Sequence, residues 1–153
     1  LVGFSFSQNA FALPEDRDKP LDIISDEAEY DQEKEMGTYT GNVVMTQGHL
    51  EIKADKATFY LVDGELDYIV ATGKLVKIKD LPKKEDPWVY GEGKSLHYYP
   101  NRDLLELRTE AKVTQAKDIV TADKIDYNLE TRKINAYRND RKQIHFTIQT
   151  KKD

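Results

Sequence analysis

The 153-residue chain contains no cysteine, which excludes disulfide bonds, thiolate nucleophiles and zinc sites built on cysteine. It has only three histidines, His49, His97 and His145, and no two of them show the i, i+4 spacing of a metalloprotease helix. No phosphate-binding loop, dinucleotide-binding glycine pattern or nucleophile-elbow motif is present. We therefore expect no metal ion, no cofactor and no catalysis.

Excess positive charge is also missing. Acidic residues outnumber basic ones by 28 to 23, for a formal net charge of −5, which opposes the binding of nucleic acid. The charge is uneven, because residues 22–35 hold seven acids and one base whereas residues 132–152 hold seven bases and one acid. This contrast fits either an uneven solvated surface or a contact between the N-terminal edge of one molecule and the C-terminal edge of another.

No apolar segment is long enough to cross a bilayer. The first twelve residues, LVGFSFSQNAFA, carry no charge and end in Ala10-Phe11-Ala12, the small-x-small pattern at which signal peptidase cleaves. We interpret residues 1–12 as the remnant of a cleaved secretory signal and residues 13–153 as a single exported domain. A short apolar strand is the alternative interpretation.

Apolar and polar residues alternate along most of the remaining chain, which is typical of strands with one buried face. Turn signals recur every eight to twelve residues, at 40–42 (TGN), 63–65 (DGE) and 99–103 (YPNRD). Residues 25–36 read as strand, turn and strand, and residues 77–88, with two prolines and dense charge, as a loop. The pattern predicts an all-β antiparallel sandwich or roll. The residues predicted to face inward are Tyr39, Val43, Met45, Ile52, Phe59, Leu96, Leu107, Val113 and Tyr127.

One phrase occurs twice, as TQGHLEIKADK from Thr46 and as TQAKDIVTADK from Thr114, with five of eleven positions identical. Apolar residues elsewhere recur at the same offset, as in the pair Tyr30 and Tyr98. The repeat predicts two similar structural units that bury their apolar faces together, although any two hairpins share some alternation. Ala54 and Ala122 are expected where strands bend, and the Asp-Lys pairs that follow them are expected at turns.

Several segments resemble the OstA-like family of periplasmic lipopolysaccharide-transport bridge proteins, from Pro20 to about Ile148. They are PLDIISDEAEYD, TYTGNVVMTQGHLEIKADKATFY, GEGKSLHYY and TQAKDIVTADKIDYN. The resemblance implies an open, slightly twisted antiparallel β-jelly roll that carries lipopolysaccharide in an apolar groove in the periplasm. It also implies a head-to-tail homo-oligomer. An LptC-like inner-membrane protein would dock at its N-terminal edge, and the N-terminal domain of an LptD-like outer-membrane protein at its C-terminal edge.

The resemblance also assigns residues. By position it implies lipid contact for Leu21, Ile23, Ile78 and Tyr98, to which the alternation adds the inward residues given above; plain core packing is the alternative for each. We expect docking by strand addition at both ends of the domain. The docking residues are Leu21, Asp22, Ile23 and Ile24 at one end and Ile144, Phe146 and Ile148 at the other. The sequence departs from the family at two positions, since Leu75 replaces a common proline and Pro100 replaces a larger apolar residue.

Two other functions compete with this interpretation. A β-scaffold or carbohydrate-binding module would need exposed aromatic rings on a wet face, and Tyr60, Tyr68, Tyr90 and Tyr99 could supply them. A periplasmic hydrolase would need a pair of carboxylates or a metal ion, and the sequence gives no separation in space from which such a pair could be identified.

Overall fold

The chain folds almost entirely into β-strands in the computed structural model, which describes residues 18–139 and 143–150. These residues form ten strands and a single-turn 3₁₀ helix at Pro100–Arg102; none of their helices could cross a membrane. The strands are β1 (Asp22–Ile24), β2 (Glu27–Asp31), β3 (Met36–Gln47), β4 (Leu50–Val62), β5 (Glu65–Asp80), β6 (Val89–Tyr99), β7 (Leu104–Gln115), β8 (Asp118–Asn128), β9 (Ile134–Tyr137) and β10 (His145–Thr147). The all-β prediction is confirmed.

All ten strands belong to one antiparallel sheet, in which β3 to β8 follow one another as a meander. Both β1 and β2 pair with β3, and both β9 and β10 pair with β8. Each edge of the sheet therefore consists of two short strands, which lie one after the other along β3 at one edge and along β8 at the other. The sheet stays open, because its first and last strands do not pair with each other.

Every pairing between two long strands shifts register near its middle. The shifts begin after Thr40 in β3, Lys53 in β4, Thr72 in β5, Glu92 in β6 and Arg108 in β7. Such bulges bend strands, and together they form a bend line across the sheet. We call the half that contains 43–47, 50–54, 76–80, 89–93, 111–115 and 118–122 layer 1. The half that contains 36–40, 56–62, 65–72, 95–99, 104–108 and 124–128 is layer 2.

A hydrogen bond between the layers shows that the sheet folds over along this line. The Tyr98 hydroxyl donates to Gln47 Oε1 at 3.0 Å. Across the sheet, Tyr98 of β6 pairs with Ile69 of β5, which pairs with Phe59 of β4. Phe59 in turn pairs with Gly37 of β3. Gly37 and Gln47 are ten positions apart on β3, or roughly 33 Å in extended chain. The bond can form only because layer 2 faces layer 1, as in the predicted β-jelly roll.

The repeated phrase has a structural counterpart, because β3 and β7 begin and end at the same offset and β4 and β8 begin at it. Asp55 Oδ2 accepts a hydrogen bond from the Lys74 amide at 3.0 Å, and Asp123 Oδ2 accepts one from the Asn139 amide at 2.8 Å. Both aspartates thus bind the backbone of the following segment at the bend line. The prediction that they lie at turns is wrong, since each lies inside a long strand.

The turn predicted at 40–42 is also wrong, because these residues lie within β3. Gly41 and Asn42 have positive φ values of 85° and 47°, and the Asn42 amide donates to Asp26 Oδ2 at 2.8 Å. A Cβ on Gly41 would lie 2.6 Å from the same oxygen, so glycine is required. The Gly-Asn pair makes a bulge, not a hairpin, because a side chain from the edge of the sheet binds it.

The other predicted turns and loops compare with the structure as follows. The turn predicted at 63–65 is confirmed between β4 and β5, and the one at 99–103 is confirmed as the 3₁₀ helix between β6 and β7. The predicted strand-turn-strand at 25–36 is confirmed by β2 and the start of β3. The loop predicted at 77–88 is shorter, because residues 77–80 complete β5. The predicted signal remnant at 1–12 lies outside the described residues and stays a prediction.

Candidate functional site

The space between the layers is lined by apolar side chains from both of them. Of the thirteen residues predicted to contact lipid, ten are buried there: Val43, Met45, Ile52, Phe59, Ile78, Leu96, Tyr98, Leu107, Val113 and Tyr127. The other three, Leu21, Ile23 and Tyr39, are half-buried and pack against the same cluster. The structure therefore gathers the whole set into one interior, while lipid contact itself stays a prediction.

The layers approach each other closely at Gly91, which was not predicted as a site residue. A Cβ on Gly91 would lie 2.6 Å from Ile78 Cγ1 in the same layer and 2.9 Å from Leu107 Cδ1 in the opposite layer. Toward the N-terminal edge, Tyr39 meets Phe59 edge to face, with ring centroids 5.0 Å apart. The interior is thus a close-packed apolar seam that ends at the half-buried Tyr39 near this edge.

A buried carboxylate lies at the end of layer 1 that is farthest from the bend line. Asp80 is the last residue of β5 and is 2% exposed. The Tyr127 hydroxyl, from layer 2, donates to Asp80 Oδ2 at 3.2 Å. A buried polar group needs such a partner, because burial without a hydrogen bond is costly. This pair and the Tyr98–Gln47 pair are polar contacts between the layers, in addition to the apolar packing.

The tyrosines considered for carbohydrate binding lie on the outer faces of the sheet. Tyr60, Tyr68 and Tyr99 form a row on layer 2, with centroids 4.4 Å apart for the first two and 5.9 Å for the last two. The Arg102 guanidinium lies 5.0 Å over the Tyr99 ring. Because the ring faces cover one another, they do not form the flat platform on which a sugar stacks. Tyr90 lies apart, on layer 1.

The outer face of layer 2 also carries a pair of carboxylates, Glu106 and Asp126, at aligned positions of β7 and β8. Burial alone would raise the pKa of Glu106, but the hydrogen bond from Arg108 and the charges of Lys124 and Arg108 lower it overall. Burial raises the pKa of Asp126, although Lys124 acts against it. For the adjacent His97, burial and the Arg108 charge lower the pKa.

These groups form an ion-pair network. Arg108 binds Glu106 directly, and Lys124 Nζ lies 3.8 Å from Glu106 Oε2 and 3.6 Å from Asp126 Oδ1. Both carboxylates thus form ion pairs with basic side chains, unlike the free acid and base of a glycosidase. Within residues 18–139 and 143–150, no three histidine, aspartate or glutamate side chains are grouped so that they could hold a metal ion.

The docking residues predicted from the sequence lie at the two edges of the sheet. Ile23 faces the interior, whereas the neighbouring Asp22 and Ile24 are exposed on β1, Ile24 by 69%. At the opposite edge, Phe146 is 54% exposed on β10 and Ile148 is 63% exposed. The remaining two residues of the set, Leu21 and Ile144, flank the edge strands and are partly exposed.

The chain has recognisable relatives along most of its length. The model of the LptA/(LptD N-terminal domain) LPS transport protein family matches residues 22–133. The lipopolysaccharide export system protein LptH of Pseudomonas aeruginosa is 28% identical over 95% of this chain and 88% of its own. LptA of Escherichia coli K12 is 31% identical over 88% of this chain and 74% of its own.

A solved structure has the same fold. The crystal structure of LptH from Pseudomonas aeruginosa, described as the LptA-homologous periplasmic component of the lipopolysaccharide transport device, superposes with a TM-score of 0.84 at 25% identity. The match covers 89% of this chain and 99% of that one. With the folded sheet, the apolar interior and the family match over residues 22–133 in agreement, the chain belongs to the LptA/LptD N-terminal-domain family of lipopolysaccharide transport proteins.

Proposed function

We propose that this protein is a non-catalytic periplasmic carrier that binds the acyl chains of lipopolysaccharide between its two layers. The observation that carries the proposal is the continuous apolar seam of the folded sheet, which is lined by both layers and reaches both edges. Tyr39 and Ile23 are half-buried where this seam meets the β1–β2 edge. The named functions of the relatives support the same conclusion.

The physical requirement is to keep acyl chains away from water. Each methylene group that leaves water contributes about 0.8 kcal/mol, so a lipid with several chains cannot cross an aqueous compartment alone. A folded sheet can cover the chains between its layers and leave the sugars and phosphates outside. Transfer from one such site to the next requires no catalytic group.

The edges give this carrier a way to assemble. An open sheet leaves backbone donors and acceptors unpaired at both edges, and another chain can add a strand there. Here the two edges differ, because the β1–β2 edge carries the exposed acids Asp22, Asp26, Glu27 and Glu29, whereas Lys133 and Arg138 are exposed beside β9. A contact between unlike edges leaves one edge of each kind free, so it can repeat from molecule to molecule. We infer head-to-tail assembly, with an LptC-like protein at the N-terminal edge and an LptD-like domain at the C-terminal edge.

The test compares lipopolysaccharide with the same saccharide after removal of its acyl chains, with the purified protein titrated at one salt concentration. We expect the deacylated saccharide to bind at least a hundredfold more weakly, because burial of only four methylenes is worth about 3 kcal/mol. The variant Tyr90→Ala, on the outer face of layer 1, should leave both affinities unchanged. Equal affinity for the two ligands would instead place binding on the outer tyrosines and support the carbohydrate-binding alternative.

A further inference from the structure

Two hydrogen bonds between the layers lie at one place, which we call the mouth: the free ends of the layers, away from the bend line. Gln47 and Asp80 are the last residues of β3 and β5, in layer 1. Tyr98 and Tyr127 are each next to last in β6 and β8, in layer 2. Their hydroxyls reach across to Gln47 Oε1 at 3.0 Å and to Asp80 Oδ2 at 3.2 Å. Both contacts therefore join the layers where they would otherwise separate.

The space behind the mouth is filled by the protein's own side chains. Met45, Leu96 and Leu107 are fully buried, and Leu107 closes on Gly91 of the opposite layer. Close-packed interiors do not admit a further chain without displacement. An acyl chain can enter only when the layers move apart, and the bend line holds the opposite ends together. Separation must then be largest at the mouth.

We propose that Tyr98–Gln47 and Tyr127–Asp80 are two latches that hold the mouth shut in the lipid-free protein, and that lipid loading opens both. This inference rests on the proposed function for its ligand, but the latches themselves are a property of the free protein. The two buried hydroxyls favour the closed form because each has its acceptor there. Opening exchanges these pairs for water or for polar groups of the lipid.

The latches are tested in the double variant Tyr98→Phe/Tyr127→Phe, which removes two hydroxyls and keeps both rings. Each lost bond should favour opening by about fivefold. Because the native chain has no cysteine, spin labels can be attached at Lys84→Cys, in the loop after β5, and at Glu130→Cys, in the turn after β8, both exposed. The distance between the labels then reports the opening of the mouth by pulsed electron spin resonance.

In the lipid-free protein with native tyrosines we expect one short distance, and on addition of lipopolysaccharide a longer one. The double variant should show part of the longer distance without lipid. Tyr90→Phe removes the same hydroxyl from an exposed side chain and should leave the short distance unchanged. Asp80→Asn keeps an acceptor for Tyr127 and should stay closed, whereas Asp80→Ala should open to one longer distance; an unfolded variant would instead show a broad distribution of distances.

Two results would overturn the proposal: a double variant that stays as closed as the native protein, or lipid binding that leaves the distance unchanged. Failure of the proposed function looks different. If lipopolysaccharide does not bind at all while the double variant opens, the latches stand and the ligand is wrong.

Discussion

Replacement of Leu107 with alanine is expected to lower the free energy of unfolding by about 3 kcal/mol. Leu107 is fully buried in layer 2, and its Cδ1 would lie only 2.9 Å from a Cβ on Gly91 of layer 1. Truncation would leave a cavity between the layers. The cavity cannot close easily, because the hydrogen bonds between strands fix the backbone of both layers.

Urea denaturation followed by circular dichroism measures this loss. Val62→Ala is a suitable control, because Val62 is 55% exposed at the end of β4 and its truncation should cost less than about 0.5 kcal/mol. An equally small loss for Leu107→Ala would mean that the layers are not packed against each other. In that case the folded arrangement of the sheet would have to be abandoned.

Glutamate in place of Phe146 is expected to raise the dissociation constant of self-association by at least tenfold. Phe146 is 54% exposed on β10, an edge strand aligned with Val120 of β8. A neighbouring edge that adds to β10 would bury this ring, and burial of a large apolar side chain contributes about 1.5 to 3 kcal/mol. Glutamate would instead bring a negative charge toward the acidic β1–β2 edge. Ile24→Glu, at that opposite edge, should weaken assembly less, because it also loses an apolar contact but brings its negative charge toward the basic residues beside β9.

Sedimentation velocity over a range of protein concentrations measures the assembly, and Val62→Glu adds the same charge away from both edges. Raised salt should weaken assembly of the native protein and leave lipid binding largely intact, because salt screens exposed charges between the edges. Assembly that does not depend on salt would show that charge does not contribute to it. Unchanged assembly of both edge variants would contradict the proposed contact between edges.

The sequence pattern predicts the strands well because alternation is a local property. In β4 the sequence pattern also indicates the bend. The buried residues are Leu50, Ile52 and Ala54, followed by Ala57 and Phe59. The change from even to odd positions marks the extra residue of a bulge. The same change separates Ala122 from Ile125 in β8. The same pattern nevertheless predicts turns at the two Asp-Lys pairs, because turns and bulges favour the same residue types.

The contacts between layers could not be predicted in this way. Tyr98 and Gln47 are 51 residues apart, and Tyr127 and Asp80 are 47 apart, so these pairs depend on how the sheet folds over. The Gly41-Asn42 bulge depends on Asp26, which lies between the edge strands β1 and β2. Local sequence shows the residue types, but the partner is fixed only by tertiary structure.

Photo-crosslinking to lipopolysaccharide tests most directly whether lipid lies between the layers. A photoreactive phenylalanine analogue is placed at Tyr39 or Phe59, which face the interior, and at Tyr90, which is 51% exposed on the outer face. All three sites already hold an aromatic ring, so the substitutions are matched. We predict crosslinks from Tyr39 and Phe59 and none from Tyr90. Equal labelling at the three sites, or labelling at Tyr90 alone, would contradict the carrier account.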